Sequence, residues 1–138
     1  TGFNSNFFDY VYSSSALMYL RDENIKLSQV LRHVYDILAE SGLFLGTFTS
    51  IGSHVTSRSK KIDYNRRRLQ DPVFRIRNGQ IYHIHHSKKE VKNDLLCAGF
   101  RDVEVFNYKV DWFGTTEKHF MFVAKKQAPT CLTTNSYS

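Results

Sequence analysis

Two short apolar runs, Phe7 to Tyr12 and Leu43 to Thr49, bracket a stretch of helical periodicity, and this pattern limits the fold more tightly than any other feature of the chain. The first run, FFDYVY, is aromatic and β-branched apart from Asp9, the composition of a strand buried on both faces. Leu27, Val30, Leu31, Val34 and Leu38 recur at spacings of three and four, which aligns them on one face of a helix. Asp22 offers an N-cap and Ser41-Gly42 a stop, so the expected helix runs from Asp22 to Ser41. A short helical turn is expected over Ala16 to Leu20. Strand, helix and strand in this order form a βαβ unit, whose two strands are parallel because a helical crossover joins them. Open α/β sheets bind ligands at the C-terminal ends of such strands, here Ser13 to Ser15 and Thr49 to Ser53.

The second half of the chain has a different organisation. Residues 50 to 86 show no clean period and are expected to be a loop-rich insertion with short pieces of helix or strand. Ser87-Lys88-Lys89-Glu90 fits a capping box ahead of a helix, with Val91, Leu95 and Ala98 as its buried stripe and Gly99 as its end. Asp102 to Val110 alternates as a strand, Val103 and Val105 on one face and Phe106 and Tyr108 on the other. His119 to Lys125 is the last strand. A connection of about eight residues through Gly114 is too short for a helical crossover, so this pair is antiparallel. The domain is expected to span residues 1 to 127, with a disordered tail over 128 to 138.

The net charge of +6 is unevenly spread. Residues 58 to 92 hold eleven Lys or Arg against Asp63, Asp71 and Glu90, a net +8 that leaves −2 for the rest. A run of this kind contacts an acidic partner or is simply a solvated face. No stretch approaches the roughly 18 apolar residues of a membrane span, and no membrane partner is expected. Two cysteines, Cys97 and Cys131, follow neither metal-ligand nor disulfide-framework spacing, which suits a reducing cytoplasm. The chain opens at Thr1 and runs almost at once into an apolar strand, so a further segment is expected upstream.

Three segments together resemble a known family. FDYVYSSSALMYL, ILAESGLFLGTF and LLCAGFRDVEVF are similar, in order and spacing, to the second half of the Rossmann-like class I S-adenosylmethionine-dependent methyltransferases. Those enzymes carry an F-D-x-V/I strand, a helix ending in L-x-x-G-G before the next strand, and an L-x-x-A-G-F turn before an antiparallel pair. The resemblance covers residues 7 to 126. Glu40-Ser41-Gly42 departs from the double glycine. The family's glycine-rich loop and the acidic residue closing its second strand have no counterpart, and these hold most of the cofactor.

The fold class so implied is α/β: a partial Rossmann-like methyltransferase fold, a parallel βαβ unit followed by an antiparallel C-terminal strand pair. The activity implied is methyl transfer from S-adenosylmethionine to a small-molecule or nucleic-acid acceptor, with the N-terminal half of the domain supplied by a longer chain. On the cofactor side the resemblance points to Asp9, to Ser13 and Ser14 near the methionine end, and to Leu17, beside Met18, as an apolar wall. Tyr19 stands where relatives carry a histidine facing the substrate. Arg66 and Arg67 are expected at the acceptor entrance. His54, Tyr82 and His85 are expected against the acceptor and are candidates for proton removal, because imidazole titrates near neutral pH. His83 and His85 share a strand face, yet three or four converging ligands are needed for a metal, and none is expected here. The competing reading is a non-catalytic basic module that holds nucleic acid or another acidic partner through the RSKKIDYNRRR stretch.

Overall fold

The computed structural model describes residues 2–70 and 77–128. Arg75, Cys131 and the tail from residue 129 onward lie outside the described residues. Among the described residues there are eight strands and three helices: β1 (Phe8–Ser13), β2 (Tyr19–Leu20), α1 (Leu27–Ile37), β3 (Leu38–Ser50), α2 (His54–Ser57), β4 (Ser59–Lys61), β5 (Arg66–Leu69), β6 (Ile81–His85), α3 (Lys88–Cys97), β7 (Arg101–Trp112) and β8 (Thr115–Lys125). The strands form one sheet in the order β4-β5-β6-β3-β8-β7, with β1 beside β3 and β2 beside β6.

β1 and β3 are parallel, with Tyr10 opposite Leu43, Val11 opposite Phe44 and Ser13 opposite Gly46. α1 connects them. β8 runs antiparallel on the other side of β3, pairing Leu43 with Lys125 through to Thr49 with His119. β7 and β8 are antiparallel, as the sequence predicts, but their connection is shorter than expected. Trp112 pairs with Thr115, so only Phe113 and Gly114 form the turn, both at positive φ (53° and 82°), the geometry that matches strand twist in a two-residue hairpin.

α1 is shorter at both ends than its periodicity suggests. Asp22 does not cap it; its carboxylate accepts the Asn24 N–H at 2.8 Å, closing an Asx turn before the helix begins. The helix starts at Leu27, where the Gln29 side chain accepts the Lys26 N–H at 2.8 Å. At the other end Leu38 turns extended and the chain enters β3 without a loop. Ser41-Gly42 therefore sits inside β3, in a bulge where the register jumps from Leu38 opposite Phe8 to Leu43 opposite Tyr10. Ser41 takes the positive φ of 62° there, and Gly42 does not. Gly42 is needed for space instead: a Cβ on it would lie 2.7 Å from the Ala39 carbonyl oxygen and 3.0 Å from that of Asp9. Ala16 to Leu20 is likewise not helical but a turn running into β2, where Tyr19 pairs with Tyr82.

α1 and α3 lie on one face of the sheet. Leu31, Val34 and Leu38 meet Val91, Leu95 and Phe100 there, together with Phe44, Phe48, Phe120 and Phe122 from the sheet. The Ser87 hydroxyl caps α3 by accepting the Glu90 N–H at 3.2 Å, and the Glu90 carboxylate reaches back to the His86 N–H at 2.5 Å. The opposite face of the sheet is thinly covered. Tyr10 and Tyr12 are 70% and 72% exposed, and Phe106, Tyr108 and Met121 are exposed on the same face, as the pairing register requires. β1 was expected to be buried on both faces; among the described residues it has β3 as its pairing partner on one edge and two exposed tyrosines on one face.

The insertion extends this sheet rather than forming loops alone. β4, β5 and β6 pair antiparallel, and β6 joins the last residues of β3 in parallel, Thr49 with Ile84 and Ser50 with His85. Leu69, Tyr82 and Ile84 form its own core against Tyr19 and Val55. The basic segment thus sits at the C-terminal end of the parallel pair.

Candidate functional site

The C-terminal ends of β1 and β3 are tied together by hydroxyl groups. The Ser15 N–H donates to Thr47 Oγ1 at 2.9 Å, and the two hydroxyl oxygens are 3.0 Å apart. The buried Ser13 Oγ accepts the Leu17 N–H at 3.3 Å and so turns the chain at the strand end. Ser14 and Ala16 face outward from this turn, while Leu17 is half-buried against the main core. The turn therefore presents backbone, one exposed serine and one apolar wall at the position where α/β sheets bind ligands. Asp9 is not part of it. Four residues of extended chain, about 13 Å, separate Asp9 from Ser13, and the carboxylate is exposed at the far end of β1. The two ends of one strand do not line one small pocket.

Past the turn, Tyr19 and the insertion close over the same end of the sheet. The Tyr19 hydroxyl accepts from Arg77 Nη1 at 3.3 Å; burial raises its phenol above the ordinary range, with the Arg77 charge acting against that. Tyr82 is buried, and its hydroxyl donates to the Val55 carbonyl at 3.0 Å, with the phenol again raised by burial. A hydroxyl so engaged is held for structure and is not poised to accept a proton. His54 opens the four-residue α2, half-exposed. Ser53, buried beside it, hydrogen-bonds to the Glu117 carboxylate of β8.

The arginines of β5 are not equivalent, because successive residues of a strand face opposite sides. Arg66 pairs with Asp63 at 2.6 Å and donates to the Glu23 carbonyl. Arg68 reaches the Glu23 carboxylate and, at 3.2 Å, the Gly79 carbonyl. Both fasten the loop before α1 to the insertion. Arg67 points to the other side, where its charge acts on Tyr82.

His85 is completely buried, its ring stacked on Phe48 at 4.9 Å and its Nε2 2.8 Å from Asp94 Oδ2. In that position it does not touch a soluble acceptor. His83 lies two residues earlier on the same strand face, its ring centroid 4.7 Å from that of His85 and its Nε2 3.9 Å from the same carboxylate oxygen. Burial, and next the neighbouring His85, lower the His83 pKa to about 4. His83 and Asp94 line a cavity of about 820 Å³ between the start of α1, α3 and β5, whose walls also include Arg32, Asn65 and Arg66. This cavity is on the helix-covered side of the sheet, and no residue of the Ser13 to Leu17 turn lines it. The cavity and the strand-end turn thus have different linings.

Sequence reading missed Asp94, Thr47 and Glu23. Asp94 stands four residues after Glu90 on α3, so helical geometry gives it a neighbouring face; nothing local pairs it with a strand nine residues earlier.

No family model matches the sequence, and no curated protein sequence matches it. Solved structures do. A SAM-dependent methyltransferase from Methanosarcina mazei superposes with a TM-score of 0.66 at 18% identity over 94% of this chain and 64% of that one. A possible histamine N-methyltransferase from Thermotoga maritima gives a TM-score of 0.60 at 12% identity, over 92% of this chain and 60% of that one. The Burkholderia thailandensis 1,6-didemethyltoxoflavin-N1-methyltransferase, solved with 1,6-didemethyltoxoflavin and S-adenosylhomocysteine, gives 0.59 at 12% identity, over 90% and 46%. The chain therefore spans less than two thirds of the length of each of these relatives in fold.

Proposed function

From a chain with a class I methyltransferase-like fold, we propose that the protein forms the acceptor-side half of an S-adenosylmethionine-dependent methyltransferase and works as part of a longer chain. The observation that carries this reading is the unfinished sheet. Two parallel strands end in a ligand-type turn, while among the described residues β1 pairs only with β3, and the face bearing Tyr10 and Tyr12 stands exposed beside it. A doubly wound fold covers both sheet faces with helices, so the edge of β1 away from β3 and this face are where the missing strands and helices fit.

The cofactor fits this chain in part. Ser13, Ser14 and Leu17 would border it at the turn, and Asp9 would not. When bound, S-adenosylmethionine supplies a sulfonium methyl for in-line displacement. The part of this chain is to orient the acceptor and exclude water, for which the wall of Tyr19, Arg67, His54 and the insertion stands at the correct end of the sheet. We favour a small-molecule acceptor. The Burkholderia neighbour is named for such an acceptor and was solved with it bound, and Arg66 and Arg68 of the basic run are already engaged by Asp63 and Glu23. That engagement also removes the main support for a basic nucleic-acid-binding module. Among the described residues no helix is long and apolar enough to cross a membrane, and the cytoplasm is the compartment this reading expects.

Calorimetry with S-adenosylmethionine tests the proposal. The 138-residue chain should show no micromolar binding, and a chain extended upstream by a strand and a glycine-rich turn should show it. Micromolar binding by the short chain, or none by the extended one, refutes the half-domain reading.

A further inference from the structure

We propose that His83, His85 and Asp94 form a three-ligand site for a divalent transition-metal ion that staples β6 to α3. Their ligand atoms all lie within 4.8 Å of one another. An ion held at roughly 2.0–2.1 Å by tetrahedral ligands sets its donor atoms roughly 3.3 Å apart. The two separations to the shared Asp94 oxygen, 2.8 Å from His85 and 3.9 Å from His83, bracket that value. The widest of the three separations is at most 4.8 Å, so the side chains must close by about 1.5 Å to share one ion.

The surroundings suit a site better than a simple hydrogen bond. His83 Nε2 is buried and has no hydrogen-bond partner, although buried polar atoms are seldom left unpaired. His85 already holds the Asp94 oxygen, and its ring is fixed by the stack on Phe48, so Asp94 serves only one of the two imidazoles through a hydrogen bond. A cation between them would satisfy both. Two imidazoles and a carboxylate are the donors that zinc and its first-row neighbours select, whereas calcium and magnesium require oxygen shells. The fourth position opens to the cavity lined by His83 and Asp94, where water can complete the tetrahedron. Topology gives the ion its task. Both histidines come from β6 and the aspartate from α3, consecutive elements joined by His86 and Ser87, and the ion would fix the angle between them.

The proposal stands apart from the methyl-transfer reading, because none of its three ligands belongs to the Ser13 to Leu17 turn. Equilibrium dialysis with Zn²⁺ and visible spectroscopy with Co²⁺ test it on the full chain. One zinc per chain is expected, with the intense d–d bands of tetrahedral cobalt. Asp94→Asn and His83→Gln should each weaken zinc binding by roughly tenfold or more, with the far-ultraviolet circular dichroism retained. His86→Gln, a neighbour directed at Glu90, should leave it unchanged. Absence of stoichiometric zinc, purely octahedral cobalt bands in the unsubstituted chain, or an equal loss with His86→Gln would each overturn the site.

Discussion

Ser15 and Thr47, 32 residues apart, hold the ends of the two parallel strands together: the Ser15 N–H donates to the Thr47 hydroxyl at 2.9 Å and the two hydroxyls meet at 3.0 Å. Ser15 takes a φ of 49°, so the turn that presents Ser14 depends on an outside acceptor to keep its shape. Thr47→Val keeps the volume and removes that acceptor, leaving a part-buried N–H without it. Urea denaturation should show a loss of about 1–3 kcal/mol, and Thr47→Ser should restore most of it. Equal stability of the Val variant would show that the turn holds itself.

The edge of β1 away from β3 carries a second expectation. Its Tyr10 and Tyr12 are exposed, no Lys or Pro interrupts the strand, and edges of this kind pair with other chains. Sedimentation velocity should show the 138-residue chain associating as its concentration rises. A Tyr10→Lys, Tyr12→Lys double variant should shift it toward monomer, because charges on the exposed face oppose stacking and pairing. A monodisperse monomer of the unsubstituted chain would mean the edge needs no partner.

Acid should weaken the metal-free protein early, and the sign follows from His83. Its folded pKa lies near 4, below the ordinary 6.5, because burial and His85 outweigh the opposing charges of Asp94, Glu90 and Asp63. The unfolded chain therefore takes up a proton that the folded chain refuses. Stability is full above pH 6.5 and falls as the pH drops toward 4, by as much as about 3 kcal/mol for this group. His119, lowered by burial, acts in the same direction. Denaturation in the presence of a chelator at pH 7 and pH 5 checks it: His83→Asn should flatten the slope, and an unchanged slope would assign it to other groups.

The sequence by itself determined the order of the main elements and their orientation. The two apolar runs, the spacing of Leu27, Leu31, Val34 and Leu38, and the Ser87 cap are local signals, read within a turn or two of chain. The parallel β1 and β3 and the antiparallel β7 and β8 follow from them because connection length limits how strands can return. The resemblance of LLCAGF and its companions to class I methyltransferases rests on the same local patterns. Gly42 shows where such reading stops. Its identity was visible and its reason was not: it is small because Asp9 and Ala39 crowd it across a bulge, while Ser41 bears the left-handed φ. Asp22 looked like a cap and closes an Asx turn instead. The insertion had no period because its strands are only three to five residues long, and the pairing of β6 with β3 is set by contacts across tens of residues. Only the folded chain decided that Asp9 lies at the opposite end of β1 from the Ser13 to Leu17 turn, and that Asp94 meets His83 and His85. A local pattern fixes which face of an element a side chain takes, but the partner across the gap is fixed by how separate elements pack, and no spacing along the chain encodes that distance.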